Sequence, residues 1–129
     1  MAVLDCREAA RSIKEELAKK VQLLAAEGLR PKLGIIRVGA RPEDISYEKG
    51  IMKNCESIGI SCEVTVLSDD ISNEDFMKAL EAANSDRSIN GILVFRPLPA
   101  HIDEDRARNM INPAKDIDCM NPYNLAKVF

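Results

Sequence analysis

Several classes of protein are excluded by what this chain of 129 residues lacks. No stretch approaches the roughly 18 apolar residues that a membrane-spanning helix needs. The six glycines stand singly, so the sequence contains neither a dinucleotide-binding G-x-G-x-x-G turn nor a phosphate-binding loop. The cysteines form no C-x-x-C pair and there is a single histidine, which argues against a bound metal. A net charge of -3 argues against a nucleic-acid surface.

The composition is that of one globular domain. Hydrophobic residues make up 46% of the chain and charged residues 30%, which is typical of a folded protein rather than a disordered one. Charged side chains occur too early in MAVLDCREAA for a signal peptide. We therefore expect a cytoplasmic protein that is not bound to a membrane and whose cysteines are small, partly buried thiols.

Hydrophobic periodicity predicts helices and strands in alternation. The helices are predicted from Asp5 to about Gly28, from about Pro42 to Ile58, from Ser72 onward and, as a short fourth, over about 103–111. The strands are predicted at 32–38, 62–66 and 92–95, and the segment NPAKDIDCMNPYN (112–124) is predicted to be a polar loop. Helical crossovers between strands favour a three-layer α/β/α domain with a mostly parallel sheet.

In a sheet of this kind, functional groups gather at the carboxyl ends of the strands. Those ends are residues 39–44, 67–70 and 95–99. No nucleophile–base constellation is visible there, and His101, which follows a proline-rich turn, is expected to be solvated. The residues alone therefore predict an α/β domain with a cleft at this edge.

Four blocks of sequence carry a resemblance to a known family. They are LGIIRVGARPEDISYEKGIMKNCESIGI (33–60), NGILVFRPLP (90–99), HID (101–103) and INPAKDIDCMNPYN (111–124). In this order the chain resembles the folate-binding catalytic domain of methylenetetrahydrofolate dehydrogenase/cyclohydrolases over essentially all of residues 1–129. The resemblance implies an enzyme that oxidises 5,10-methylenetetrahydrofolate with NAD or NADP. It also implies a homodimer, no metal, and a dinucleotide-binding Rossmann domain that this chain does not contain.

The resemblance assigns roles to three residues. Tyr47 stands where the family has a tyrosine that stacks on the folate ring, which suits an aromatic face. Asp118 matches the aspartate that accepts hydrogen bonds from the pterin, since a carboxylate can accept two parallel donors. Pro97, in the P-L-P block, is expected to contact the substrate, whereas Asp116 is expected to stabilise a turn. The alternatives are an ordinary tyrosine on an amphipathic helix and a solvated loop carboxylate.

The sequence also departs from the family at residues that the resemblance places in the substrate site. Ile51 replaces the lysine that serves the cyclohydrolase step, and Phe95 replaces its glutamine partner, so no catalytic residue is intact. Lys49 and Lys53 belong to the opposite helical face and cannot substitute for it. Arg96 replaces an apolar residue, and strand alternation predicts that it points away from Phe95.

Two further changes, Cys119 and Met120 in place of glycine and phenylalanine, alter the loop beside the pocket. We therefore expect the full-length protein to be a dehydrogenase whose cyclohydrolase activity is weak or absent, and the isolated chain to be inactive. One alternative is a noncatalytic family member that binds a folate or another pterin. The other is a related α/β domain with a different substrate.

Overall fold

A three-stranded parallel sheet forms the centre of the fold. The computed structural model describes residues 6–128. Strand β1 (Lys32–Val38) lies between β2 (Ser61–Leu67) and β3 (Gly91–Val94), and both pairings are parallel. The predicted parallel sheet is confirmed. Strand β1 has the predicted bounds, β2 is one residue longer at each end, and β3 begins and ends one residue early.

Five helices accompany the sheet within the described residues. They are α1 (Cys6–Ala26), α2 (Pro42–Ile58), α3 (Asn73–Ser85), α4 (Glu104–Met110) and α5 (Pro122–Ala126). The first four confirm the predicted helices, although the predicted first residue, Asp5, lies outside the described residues. Gly59 ends α2 in the left-handed conformation, with φ 87°, which a glycine adopts without steric cost. The Ser72 hydroxyl accepts a hydrogen bond from the Asp75 amide and thereby caps α3.

The prediction of an uninterrupted polar loop over residues 112–124 is wrong, because α5 begins within that segment. Asn121 caps this short helix through a hydrogen bond from the Tyr123 amide, and Pro122 occupies its first position. Asparagine followed by proline is a recognised helix start. The helix was missed because it continues for only five residues and has no apolar periodicity.

Each face of the sheet is covered by its own hydrophobic cluster. Successive strand residues point to opposite faces, so alternate residues of β1 and β3 belong to different clusters. One cluster, built on Leu33, Ile35, Leu93 and Phe95, packs against α2 through Ile51 and Cys55. The other contains Ile36, Ile92 and Val94 and packs against α3 and α4 through Phe76, Leu80 and Ala107. The predicted three-layer α/β arrangement is confirmed.

Helix α1 packs against α2 rather than against the sheet. A Cβ atom added to Gly59 would lie 3.0 Å from Val21 Cγ1, which shows how closely the two helices approach. No residue of α1 is buried, and Ile13 remains 56% exposed. The apolar stripe of this helix is therefore only partly covered within residues 6–128.

The four cysteines are free. Cys55, Cys62 and Cys119 are partly buried, as predicted, whereas Cys6 is exposed on α1, so the prediction is wrong for that residue. Burial, together with a hydrogen bond to Cys55, raises the pKa of the Cys62 thiol to about 11. None of the helices in residues 6–128 is long and apolar enough to cross a membrane.

Candidate functional site

A pocket of about 180 Å³ opens at the carboxyl end of β3, beside the first half of α2. Asp44 and Tyr47 line it from α2, residues 93–96 line it from β3 and the segment that follows, and Asp118 lines it from the loop before α5. This is the edge of the sheet at which the sequence predicts a site. Three of the predicted site residues, Tyr47, Phe95 and Asp118, are brought together there.

Two aromatic rings form one wall of the pocket. The ring centroids of Tyr47 and Phe95 are 5.4 Å apart and their planes are inclined by 45°. Phe95 is only 6% exposed, because its ring belongs to the cluster beneath α2, whereas Tyr47 is 62% exposed. Phe95 therefore supports the tyrosine from behind and leaves most of the Tyr47 ring accessible to a flat ligand.

An ion pair lies at the edge of the same pocket. Arg96 Nη2 donates a hydrogen bond of 2.8 Å to Asp118 Oδ2, and both side chains are partly exposed. Arg96 was predicted to point away from Phe95, and the structure brings both residues to the lining of this pocket. Strand β3 ends at Val94, so strand alternation does not extend to Arg96.

A buried ion pair, which the sequence analysis did not predict, holds α2 against β1. Arg37 Nε donates to Glu48 Oε2 at 2.6 Å, and Arg37 also donates to the Gly39 carbonyl. Both side chains are almost fully buried, and such pairs require good geometry to offset their desolvation. The signal was present in the sequence, because Arg37 is a charged residue within the otherwise apolar run 33–38 of this strand. Glu48 directly follows Tyr47, so the pair also fixes the part of α2 that lines the pocket.

A second pocket, of about 520 Å³, lies next to the first along the same edge of the sheet. Pro97 lines it, after a cis peptide bond from Arg96, and so does Arg41. Arg41 Nε bonds Asp44 Oδ2 at 2.8 Å, which connects the walls of the two pockets. Asp44 is buried, and the sequence did not predict it as a site residue. A carboxylate in the first turn of a helix is ordinarily explained by its favourable interaction with the helix N-terminus. Pro97 is thus near the pocket of Tyr47 but does not line it.

Ile51, another predicted site residue, lines neither of these two pockets. It is half-buried one turn after Tyr47 and packs against the cluster that contains Phe95. Lys49 and Lys53 are both exposed, in agreement with their predicted place on the other side of the helix. An isoleucine and a phenylalanine therefore pack together at the two positions where the resemblance implies a lysine and a glutamine.

Asp116 organises the loop that carries Asp118, as its predicted role in a turn implies. Its carboxylate accepts hydrogen bonds from three backbone amides, those of Asp118, Met120 and Asn121, and from the Asn124 side chain. Partial burial acts to raise the pKa of Asp116, but these four hydrogen bonds outweigh it, and the pKa lies below its ordinary value. The loop geometry around Asp118 thus depends on an ionised Asp116.

The Asp116→Asn variant is expected to lower the free energy of unfolding by about 1–2 kcal/mol at neutral pH. The new amide nitrogen would face the Asn121 and Asn124 donors, which would then lose an acceptor. Because the folded-state pKa is depressed, the carboxylate stabilises the fold above its unfolded-state pKa of about 3.9 and loses this effect as the pH falls further. Urea unfolding at pH 7 and at successively lower pH should show the difference between the two proteins shrinking below about pH 4.

The matched control is Asp118→Asn, the same change two residues later. Asp118 belongs to an exposed ion pair, so its substitution is expected to change stability by less than about 1 kcal/mol. Equal destabilisation by both variants, or a difference for Asp116→Asn that persists at low pH, would contradict this account of the loop.

The pocket has the chemistry of a binding site for a flat, polar ring. It offers an aromatic face, a carboxylate and a guanidinium, while the apolar pair of Ile51 and Phe95 lies behind it. Within residues 6–128 there is no group of three or more His, Cys, Asp or Glu side chains that could hold a metal ion. His101 is exposed, as predicted, although its Nε2 lies 2.6 Å from the Ile71 carbonyl oxygen.

The α/β fold with a pocket at the carboxyl edge of its sheet agrees with a family match over most of the chain. Residues 4–118 match the family described as Tetrahydrofolate dehydrogenase/cyclohydrolase, catalytic domain, and the chain belongs to that family. The predicted family membership is confirmed.

Individual relatives support the same conclusion. The Bifunctional protein FolD of Clostridioides difficile is 48% identical over 126 residues, which are 98% of this chain and 44% of that protein. The methylenetetrahydrofolate dehydrogenase/cyclohydrolase FolD of Campylobacter jejuni superposes with a TM-score of 0.90 at 36% identity, over 94% of this chain and 43% of its own. The methylenetetrahydrofolate dehydrogenase-cyclohydrolase (FolD) of Trypanosoma brucei, solved with NADP and an inhibitor, superposes with a TM-score of 0.91 at 31% identity. The match covers 98% of this chain and 43% of that one. The chain thus spans a little under half the length of these relatives.

Proposed function

We propose that this chain is the folate-binding part of an enzyme that oxidises 5,10-methylenetetrahydrofolate to 5,10-methenyltetrahydrofolate with NAD or NADP. The observation that carries the proposal is the pocket in which Tyr47 and Asp118 meet, because both residues occupy the positions that the family resemblance assigns to the pterin ring. The relatives named above, which are dehydrogenase/cyclohydrolases, support it.

In this proposal the chain positions the substrate and does not itself perform bond chemistry. Tyr47 supports the pterin ring and Asp118 accepts its amino and ring N–H groups. The pocket of about 180 Å³ suits the ring alone, so the rest of the folate extends into the neighbouring pocket lined by Pro97. NAD or NADP, when bound, would supply the hydride acceptor for the methylene bridge, and the residues of this chain contribute orientation of the substrate. With no glycine-rich turn in the chain, we assign cofactor binding to a dinucleotide-binding domain outside these residues.

Hydrolysis of the methenyl product is proposed to be weak or absent. That step needs a group that moves a proton and activates water, and the proposed lysine position is occupied by Ile51. The packing of Ile51 against the Phe95 cluster supports this view, since the site of the implied Lys–Gln pair is filled with apolar side chains. Cytoplasmic localisation and a homodimeric full-length protein remain predictions that accompany the proposal.

The test is enzymatic oxidation by a protein in which a dinucleotide-binding domain follows this chain. It is expected to reduce NAD or NADP when 5,10-methylenetetrahydrofolate is added, and to release 10-formyltetrahydrofolate much more slowly. Folate binding without any reduction of either cofactor would instead support the alternative, a noncatalytic binding protein. As a control, calorimetry on the chain of 129 residues alone is expected to show no saturable binding of NAD or NADP. Micromolar binding would show that the cofactor has been assigned to the wrong part of the protein.

A further inference from the structure

We propose that Arg96 determines which pterins the pocket accepts, by donating a hydrogen bond to the 4-oxo group of the ring. The ion pair with Asp118 would then act as one recognition edge that favours 4-oxo over 4-amino pterins. This inference rests on the proposed function and adds to it a specificity residue that neither Tyr47 nor Asp118 supplies.

The hydrogen-bonding capacity of the ion pair is mostly unused. Arg96 and Asp118 share one hydrogen bond, between Nη2 and Oδ2, and within residues 6–128 the structure shows no other for either side chain. A guanidinium has five N–H donors and a carboxylate has about four acceptor positions. Their side chains are 33% and 48% exposed, respectively, so the remaining donors and acceptors are available to a ligand.

The order of these groups matches the edge of a 2-amino-4-oxo pterin. That edge presents two donors, the 2-amino group and the ring N3–H, followed by one acceptor, the 4-oxo oxygen. Asp118 supplies two carboxylate oxygens, and Arg96 lies at the Oδ2 end, so the protein presents two acceptors followed by a donor. A ring that places N3–H against Oδ2 brings its 4-oxo oxygen beside the guanidinium. Charge-assisted hydrogen bonds of this kind are the strong ones.

Local structure holds Arg96 in place for this role. Phe95 is buried before it, with its amide donating to the Ile36 carbonyl at 3.0 Å, and Pro97 restricts the backbone after it. The ring of Tyr47 lines the same pocket and offers the face on which a pterin would lie. Ion pairs as exposed as this one contribute little to folding stability, so its role in the fold does not account for the placement of the arginine.

The opposite role for Arg96 is also chemically possible and makes a different prediction. An arginine that merely neutralises Asp118 would compete with the ligand for the carboxylate, and its removal would strengthen binding. The 4-amino analogue tests the contact with Arg96, because replacing the 4-oxo acceptor with an amino donor turns that hydrogen bond into a clash of two donors. Its N3 also carries no hydrogen, so the analogue loses one donor to Asp118, and only the part of the preference that depends on Arg96 distinguishes the two roles.

The experiment compares the binding of tetrahydrofolate and its 4-amino-4-deoxy analogue by calorimetry, in the protein that carries the dinucleotide-binding domain. Wild type is expected to prefer the 4-oxo ligand by about tenfold or more, the scale of one hydrogen bond to a charged group. Arg96→Met keeps much of the stem and removes the donors, so the preference should fall to the part that Asp118 supplies through the ring N3–H. Arg96→Lys restores a donor and should recover part of the preference. Arg87→Met, at an exposed arginine near the opposite end of the sheet, should bind like wild type.

Three other outcomes would each contradict the proposal. A preference that is unchanged in Arg96→Met would show that Arg96 does not contact the 4-position. Tighter binding of both ligands by that variant would show that Arg96 only masks Asp118. Failure of wild type to bind either ligand would overturn the proposed function as well, whereas the first two results would leave the folate site intact. Thermal unfolding of every variant verifies that each one is folded.

Discussion

Replacing Ile51 with lysine and Phe95 with glutamine together is expected to raise methenyltetrahydrofolate hydrolysis by up to roughly 10²–10⁴-fold, the range that general acid–base catalysis contributes. Ile51 lies one helical turn after Tyr47, so a longer side chain at this position would extend toward the pocket that Tyr47 lines. A glutamine at position 95 would give the new ammonium a polar partner. Both substitutions are made in a protein that carries the dinucleotide-binding domain.

The single variants are expected to behave differently from the pair. Ile51→Lys alone places a charge against Phe95 and its apolar neighbours, which should reduce stability and add little activity. Phe95→Gln alone removes a buried ring that supports Tyr47 and supplies no proton-transfer group. Activity should therefore depend on both changes at once, which is the signature of coupled residues.

The measurement is the decay of methenyltetrahydrofolate absorbance, with the uncatalysed rate subtracted, in wild type and in all three variants. Unfolding curves for each protein separate a loss of catalysis from a loss of fold. If wild type already hydrolyses methenyltetrahydrofolate at a rate comparable with its dehydrogenase step, then Ile51 does not mark a lost activity. Another group, such as Arg96 or Lys53, would then have to move the proton.

The parts of the fold that could be predicted from sequence are those with strong local signals. Strand β1 and helix α2 have the predicted bounds because an apolar β-branched run and a helix stop at Gly59 each have one favourable local structure. The end of β3 was misplaced by one residue, since Phe95 still donates a backbone hydrogen bond to β1 and is as apolar as the strand before it. Helix α5 depends on the capping hydrogen bond to Asn121 rather than on apolar periodicity. The sequence pattern for such a cap is only two residues long, so it is a weak predictor of a helix.

Single site residues could be predicted from the sequence, but the contacts between them could not. Tyr47 and Asp118 could be predicted as site residues because the resemblance assigns each of them a position along the chain, and they line one pocket in the structure. Their roles toward a pterin stay predictions. The pairings of Arg96 with Asp118 and of Arg37 with Glu48 depend on which segments meet in space, which a single sequence does not specify. Cys119 is a partial exception: it adopts φ 53°, the left-handed conformation that favours the glycine that the family has at this position.

Removing either pterin contact is expected to weaken folate binding by about 1–3 kcal/mol, the scale of a lost ring stack or charge-assisted hydrogen bond. In Tyr47→Ala the ligand loses its aromatic support, and Phe95 beneath it becomes exposed. In Asp118→Asn, one carboxylate oxygen becomes an amide that faces a ligand donor, and Arg96 loses its charged partner. Calorimetric titration with folate, in a protein that carries both halves of the cleft, provides the measurement.

Two matched variants make this result specific to the ligand. Tyr47→Phe keeps the ring and removes only the hydroxyl, so its affinity is expected to stay within a few-fold of wild type. Glu56→Gln removes one negative charge from an exposed position of α2, the helix that carries Tyr47. It controls for the change in net charge that Asp118→Asn introduces. Folate affinity that is unchanged in both Tyr47→Ala and Asp118→Asn would contradict the roles proposed for these two residues, which both line the pocket.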